Sequence, residues 1–308
     1  MKNFLIFIAL GISLTTACLA NTIKKDILRI EFIDEYGEET IDLKKEYKEA
    51  GENLLVQVKP QRVESRFKDN EKPSVLWKID IQAGTVSVLS NFSQIPNETG
   101  TEFNLDGKTI ANYRIYLSSL IKNKHEIRFL YAPLAYNVEL VPDENILFGN
   151  SLLMMGANTE ALYKFNSYRL SYIYHFDNLG VVQFRLGFTA KIRDAETALT
   201  QGLVQESFTD IGFVPLIHIG ARIQMSQKLF LDAEAEGSWA PQGYALDARL
   251  SAGYQLTNNL AIGAGVGYLD GGANVSSVNT FARLFYGYGK VTYTIPQVKK
   301  NKSKRKRK

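Results

Sequence analysis

The sequence predicts an all-β chain: an antiparallel transmembrane β-barrel of about ten strands, preceded by a small charged segment. Three observations carry this. Segments of about 10–14 residues alternate apolar and polar side chains, the length that crosses a bilayer at a tilt. The links between them alternate short and long. The chain also opens with an export signal, and no later run approaches the ~18 apolar residues of a membrane helix.

The first element is MKNFLIFIALGISLTTACLANT. Lys2 gives a positive start, Phe4 to Leu14 an apolar run too short to span, and Ala17-Cys18-Leu19-Ala20 small residues where a signal peptidase reads. The expectation is a cleaved signal over residues 1–20. The competing reading, a lipoprotein anchored through Cys18, has Thr15 where an apolar residue is usual. Cys18 is the one cysteine, so cleavage after Ala20 removes disulfides, thiolate nucleophiles and cysteine metal sites together.

Residues 21–72 are rich in Lys and Glu. LRIEFID (28–34) and NLLVQVKP (53–60) are weak strand patterns flanking DLKKEYKEAG, a short helix pattern ending at Gly51. Neither carries a bilayer-length apolar face, so the segment reads as a small periplasmic element. Counting both as strands gives a twelve-stranded alternative.

The barrel proper is placed at residues 73–296. VVQFRLGFTAKIRD (181–194) shows the pattern: Val182, Phe184, Leu186, Phe188, Ala190 and Ile192 alternate with Gln183, Arg185, Gly187, Thr189, Lys191 and Arg193. Successive strand side chains point to opposite faces, so one face is hydrocarbon and the other holds three cations. Lipid outside and a polar lumen inside satisfy both. The same rhythm places strands near 77–90, 109–121, 125–138, 161–176, 181–193, 209–225, 229–239, 244–256, 260–269 and 281–295. Trp77, Tyr174, Phe176, Trp239 and Tyr254 sit toward the ends of apolar faces, as interfacial girdles do. KNK (122–124), DNLG (177–180), SQK (226–228) and TNN (257–259) are tight turns; 91–108, 139–160, 194–208 and 270–280 are long connections, with APQG (240–243) a short exception. Pro133 and Pro215 fall inside strands and call for bulges, since a closed barrel has no edge to hide them.

Residues 297–308 form a basic tail; KKNKSKRKRK (299–308) holds eight bases. With these and Lys2 set aside, 27 bases face 32 acids, so the body is mildly acidic at −5. The export signal argues against nucleic acid as a partner for the tail, which suits solvent or an anionic headgroup surface.

Parity sends Lys78, Arg114, Arg128, Arg169, Arg185, Lys191, Arg193, Arg222, Arg249 and Lys290 into the lumen with Asp80, Glu126, Asp210, Asp232, Glu234, Glu236 and Asp247. Across SQK, Arg222 should face Asp232 and His218 should face Glu236; across APQG, Glu234 should face Arg249 and Glu236 should face Asp247. A buried charge needs a partner, so a salt-bridge ladder filling the lumen is the first reading. His218, Glu236 and Asp247 on one row are also candidate acid/base groups, without an evident nucleophile. GAGVG (263–267) lies within a strand rather than before a helix, which removes the phosphate-loop reading. Its glycines face the lumen, with Gly265 expected opposite Tyr286 and Gly263 opposite Tyr288. His125 and His175 fall at strand ends, and no metal site or cofactor is expected.

YKFNSYRLSYIYHF, GFTAKIRDA, DIGFVPL and GGANVSSVNTFA resemble a group of uncharacterised bacterial outer-membrane β-barrel proteins, over roughly residues 77–295. The resemblance implies an outer-membrane barrel of a Gram-negative bacterium and brings no activity. Omptin proteases use paired aspartates with an Asp-His couple at the outer rim, and lipid A deacylases a Ser-His pair; neither arrangement is found in this sequence. The expected protein is a monomer with a plugged lumen. It would be inserted by the barrel assembly machinery, surrounded by outer-membrane lipid and lipopolysaccharide, and structural or binding through its long loops. A narrow channel and an outer-membrane hydrolase are the alternatives.

Overall fold

The computed structural model describes residues 75–296. The expected signal, the 21–72 segment and the basic tail lie outside the described residues. The strands are β1 (Val75–Gln94), β2 (Glu102–Asn104), β3 (Thr109–Ile121), β4 (His125–Ala132), β5 (Ala135–Leu140), β6 (Ile146–Phe148), β7 (Ser151–Leu153), β8 (Thr159–His175), β9 (Val182–Gln201), β10 (Val204–Gln224), β11 (Leu229–Ala240), β12 (Gly243–Gln255), β13 (Leu260–Val275) and β14 (Val278–Thr294). Consecutive wall strands pair antiparallel, with β4 and β5 together forming one stave against β8. β14 returns to β1 from Lys78↔Thr294 to Gln94↔Asn279, closing a ring of ten staves. With each stave joined to the next and β14 to β1, the ring closes on ten, so the twelve-stranded alternative is set aside.

The two-residue rhythm decides what faces where. Phe188 is 69% exposed and Leu170 57%, whereas Arg185, Lys191, Arg169 and His218 are buried. Outward apolar side chains form the lipid-facing girdle, and closure lets each strand find partners for its backbone within the membrane. After the loop asymmetry of such barrels, the short-turn end is called the periplasmic end and the long-hairpin end the extracellular end.

The extracellular end departs from the expected loops. Residues 194–208 and 270–280 are strand rather than loop: β9 and β10 run to a turn at Gly202-Leu203, and β13 and β14 to one at Ser276-Ser277. Above the lipid a strand needs no apolar outer face, so the alternation that marks the spanning part stops while pairing continues. Residues 91–108 and 139–160 fold inward. Leu105, Phe148 and Leu153 are fully buried, and with Ile95 and Ile146 they join Val86, Tyr136, Tyr163 and Leu284 in an apolar core inside the outer half of the barrel. Thr101 N donates to Leu147 O at 2.9 Å and Gly149 N to Ile95 O at 2.9 Å, locking the two inward segments together.

Neither proline sits at a bulge. Pro133 breaks its stave into β4 and β5, and side-chain amides replace the lost ladder: Asn112 Nδ2 donates to Pro133 O at 2.9 Å, and Leu134 N to Asn166 Oδ1 at 3.3 Å. Pro215 keeps an unbroken register with β9, opposite Ala190, and lies beyond the point where β11 stops pairing with β10. Among the described residues it stands on a free edge, where a missing N–H leaves no ladder bond unmade. The bulge is instead in β1, between Val88 and Ser90. The glycine register is also two residues from expectation: Gly263 faces Lys290, Gly265 faces Tyr288 and Gly267 faces Tyr286, because the β13–β14 hairpin closes at Val275↔Val278. Their role as space for rings holds, since a Cβ on Gly267 would collide with the Tyr286 ring.

Candidate functional site: the ion-paired lumen

The SQK turn joins β10 to β11 in the expected register, Arg222↔Asp232 and His218↔Glu236. APQG does the same for β11 and β12, Glu234↔Arg249 and Glu236↔Asp247. Asp232 accepts from Arg222 Nε at 3.1 Å and is also paired with Arg185. Glu234 accepts from three guanidiniums: Arg185 at 2.9 Å, Arg128 at 3.0 Å and Arg249 at 2.6 Å. Arg128, from β4 across the lumen, binds Glu126 at 2.8 Å as well, and Glu126 meets His175 Nε2 at 2.6 Å. His175, read as a strand-end residue, is thus part of the lumen network.

The candidate acid/base row is braced by two further arginines from the opposite wall. Arg169 of β8 donates through Nη1 to Glu236 at 2.5 Å and is paired through Nη2 with Asp247 at 2.8 Å. Arg114 of β3 binds Asp247 at 3.0 Å, and Tyr286 donates its hydroxyl to it at 2.6 Å. Glu236 also accepts from Thr189 Oγ1 at 3.0 Å and lies 3.1 Å from His218 Nδ1. The two carboxylates therefore share a guanidinium rather than a proton. His218 is 0% exposed, and its Nε2 has no partner among the described residues. Among the described residues no group of His, Cys, Asp and Glu is arranged to hold a metal ion. These cross-lumen partners are 67 and 133 residues from their acids in sequence.

The layer stands between two cavities. The periplasmic-side cavity, about 310 Å³, is lined by Lys78, Glu126, Arg185, Asp232, Glu234 and Lys290 among others. The extracellular-side cavity, about 330 Å³, is floored by Arg169, Glu236 and Asp247. His218 lines neither. Lys191 and Arg193, grouped by the sequence with the ladder, belong to this outer cavity. Arg193 pairs with Asp210, whereas Lys191 lies 4.7 Å from the centre of the Phe165 ring with no carboxylate at ion-pair distance. His125 points outward beside the Tyr172 hydroxyl, at 2.8 Å. In the periplasmic turn, Lys124 donates to Asp177 at 2.9 Å, which raises the Lys124 ammonium above its ordinary pKa.

No family model and no curated protein matches the sequence. Among solved structures, the fold is that of the bacterial outer-membrane β-barrels. The outer membrane protease OmpT from Escherichia coli is similar with a TM-score of 0.50 at 10% identity, over 73% of this chain and 99% of that one. The translocator domain of the autotransporter NalP from Neisseria meningitidis gives 0.37 at 12%, covering 82% and 99%. Ail, the attachment invasion locus protein of Yersinia pestis, gives 0.35 at 10%, covering 71% and 99%. The chain is thus a closed antiparallel β-barrel of the outer-membrane class. Fold alone does not choose among activities. The three histidines lie near the periplasmic turns or in the middle of the lumen, so the outer rim holds no Asp-His couple.

Proposed function

We propose that this chain resides in the outer membrane of a Gram-negative bacterium as a monomeric barrel with a closed lumen, and acts by binding at its extracellular end. The observation that supports this most is the Arg169–Glu236–Asp247–Arg114 bridge. It ties β8 and β3 to β11 and β12 across the lumen, with side chains 1–7% exposed. Above it, the inward segments around Leu105 and Phe148 fill one side of the mouth with apolar side chains. A conducting path would need a continuous column of water past both. What remains open is a polar-floored recess held by rigid strands, the usual setting for recognition. Export by a cleaved signal and insertion by the barrel assembly machinery, among phospholipid and lipopolysaccharide, complete the proposal. Single-channel recording in planar bilayers tests it: the purified chain should insert silently, and ohmic steps would overturn the closed lumen.

A further inference from the structure

The barrel wall has a gap. β10 and β11 pair from Gln224↔Phe230 up to Ile217↔Gly237, and no further. β11 continues to Ala240, held only by β12, while β10 continues to Val204, held only by β9. Among the described residues, nothing pairs with the other side of β10 from Val204 to Leu216. Strand parity tells which groups are bare. Gln224 N donates to Val181 O on the β9 side, and Met225 N to Leu229 O on the β11 side. With no bulge in between, odd residues of β10 turn their N–H and C=O toward β11. Pro215 is odd and has no N–H to leave unpaired, but Ile211 and Phe213 do.

The lower end of the gap falls within the outward apolar stripe. The outward stripe of β10 runs Ile219, Ile217, Phe213, Ile211, exposed by 54, 55, 67 and 77%, and the pairing with β11 ends partway up it. Trp239, 64% exposed, flanks the opening from β11. On the membrane-resident reading a bare strand edge beside acyl chains is costly, so an occupant that supplies polar atoms as well as apolar surface would cover it. The extracellular-side cavity reaches both sides of it, lined by Phe213, Pro215 and Trp239 at the gap and by Phe165, Lys191 and Leu246 further round. Lys191 is 4% exposed and makes no ion pair, unlike Arg169 and Arg193 in the same cavity. A carboxylate entering the cavity would supply the direct partner that holds a proton on this buried amine.

Building on the membrane-resident, closed barrel proposed above, we propose that the gap between β10 and β11 is a lateral portal. Through it the outer cavity takes a single-chain carboxylate, a long-chain fatty acid, from the outer leaflet. The carboxylate meets the Lys191 ammonium, and the chain leaves over Phe213 and Trp239. At about 330 Å³ the cavity is at the small end of ligand sites, which suits one chain rather than two.

The chain contains two tryptophans, Trp77 and Trp239, so a Trp77→Phe background makes Trp239 the reporter. The full chain in non-ionic detergent is titrated with a long-chain fatty acid brominated along its tail, and with its methyl ester and a brominated phosphatidylglycerol as controls. Saturable quenching of Trp239 by the acid alone is expected. Lys191→Met should weaken it at least tenfold and Lys191→Arg should keep it; since Lys191 makes no ion pair and Asp247 and Glu236 keep their arginines, neither variant orphans a charge. Phe213→Asp should weaken binding with Lys191 intact. Equal quenching by the ester, preference for the phospholipid, or an unchanged Lys191→Met titration would overturn the proposal. So would a stable dimer that shields Trp239 from every probe, since a second copy would then cover the edge. Silent bilayers without saturable quenching would remove the portal and leave the closed barrel standing.

Discussion

Replacing Arg169 with Met probes whether the lumen is dry. The guanidinium is 1% exposed and bridges Glu236 at 2.5 Å and Asp247 at 2.8 Å, with Nε donating to Ser167 at 3.0 Å. At an effective dielectric near 20, each contact is worth about 4 kcal/mol of Coulomb attraction, before the cost of taking the ions out of water. Neither acid is left bare in the variant: Asp247 keeps Arg114 and Tyr286, and Glu236 keeps Thr189 and His218. The expected loss is therefore below that of a buried charge left without a partner, and nearer that of a charged hydrogen bond, about 1.5–3 kcal/mol. Urea unfolding of the detergent-solubilised barrel, followed by heat-modifiable migration, measures it by linear extrapolation. Adding Glu236→Gln should return part of the loss, with a coupling of about 1–3 kcal/mol in the double-mutant cycle. A loss under ~1 kcal/mol that shrinks further with salt would mean the bridge is solvated, and the closed-lumen reasoning would fail.

Three further outcomes are expected. Gly84→Ala should weaken closure of the ring, because a Cβ there meets the Gly287 carbonyl on β14; a cost of about 1–3 kcal/mol and a lower folded yield are expected, read by heat-modifiable migration. Phe148→Ala should cost about 3–5 kcal/mol from a fully buried site yet leave bilayers silent, since the ion bridge below it is intact. Asp177→Asn should lower the Lys124 titration midpoint toward about 10.4, read by heteronuclear NMR. A raised lysine contributes below its unfolded value and loses the contribution as pH rises through its folded one, so any difference in stability should vanish at strongly alkaline pH.

Much of the spanning wall was legible from one strand at a time. Arg185, Lys191 and Arg193 face inward because they alternate with Leu186, Phe188 and Ile192, and only lipid outside makes that arrangement favourable. Tight turns extended this to pairs: once SQK fixes the hairpin, Arg222 must meet Asp232. Where the reach of a turn was misjudged, as between β13 and β14, the glycine register slipped by two. The inward segments left a trace in Phe103 and Leu105 and in the apolar run Ile146–Phe148, which solvent-facing loops do not need.

The sequence by itself determined an all-β chain whose charges line an enclosed space, because side-chain direction in a strand depends only on parity. The tertiary structure decided the rest. It alone brings Arg114, Arg128 and Arg169 to acids more than 60 residues away, since strand curvature and closure set what meets across a lumen. It alone folds Phe148 inward, and it alone ends the β10–β11 ladder at Ile217, leaving Pro215 on an edge. Parity fixes a face; only closure fixes a neighbour.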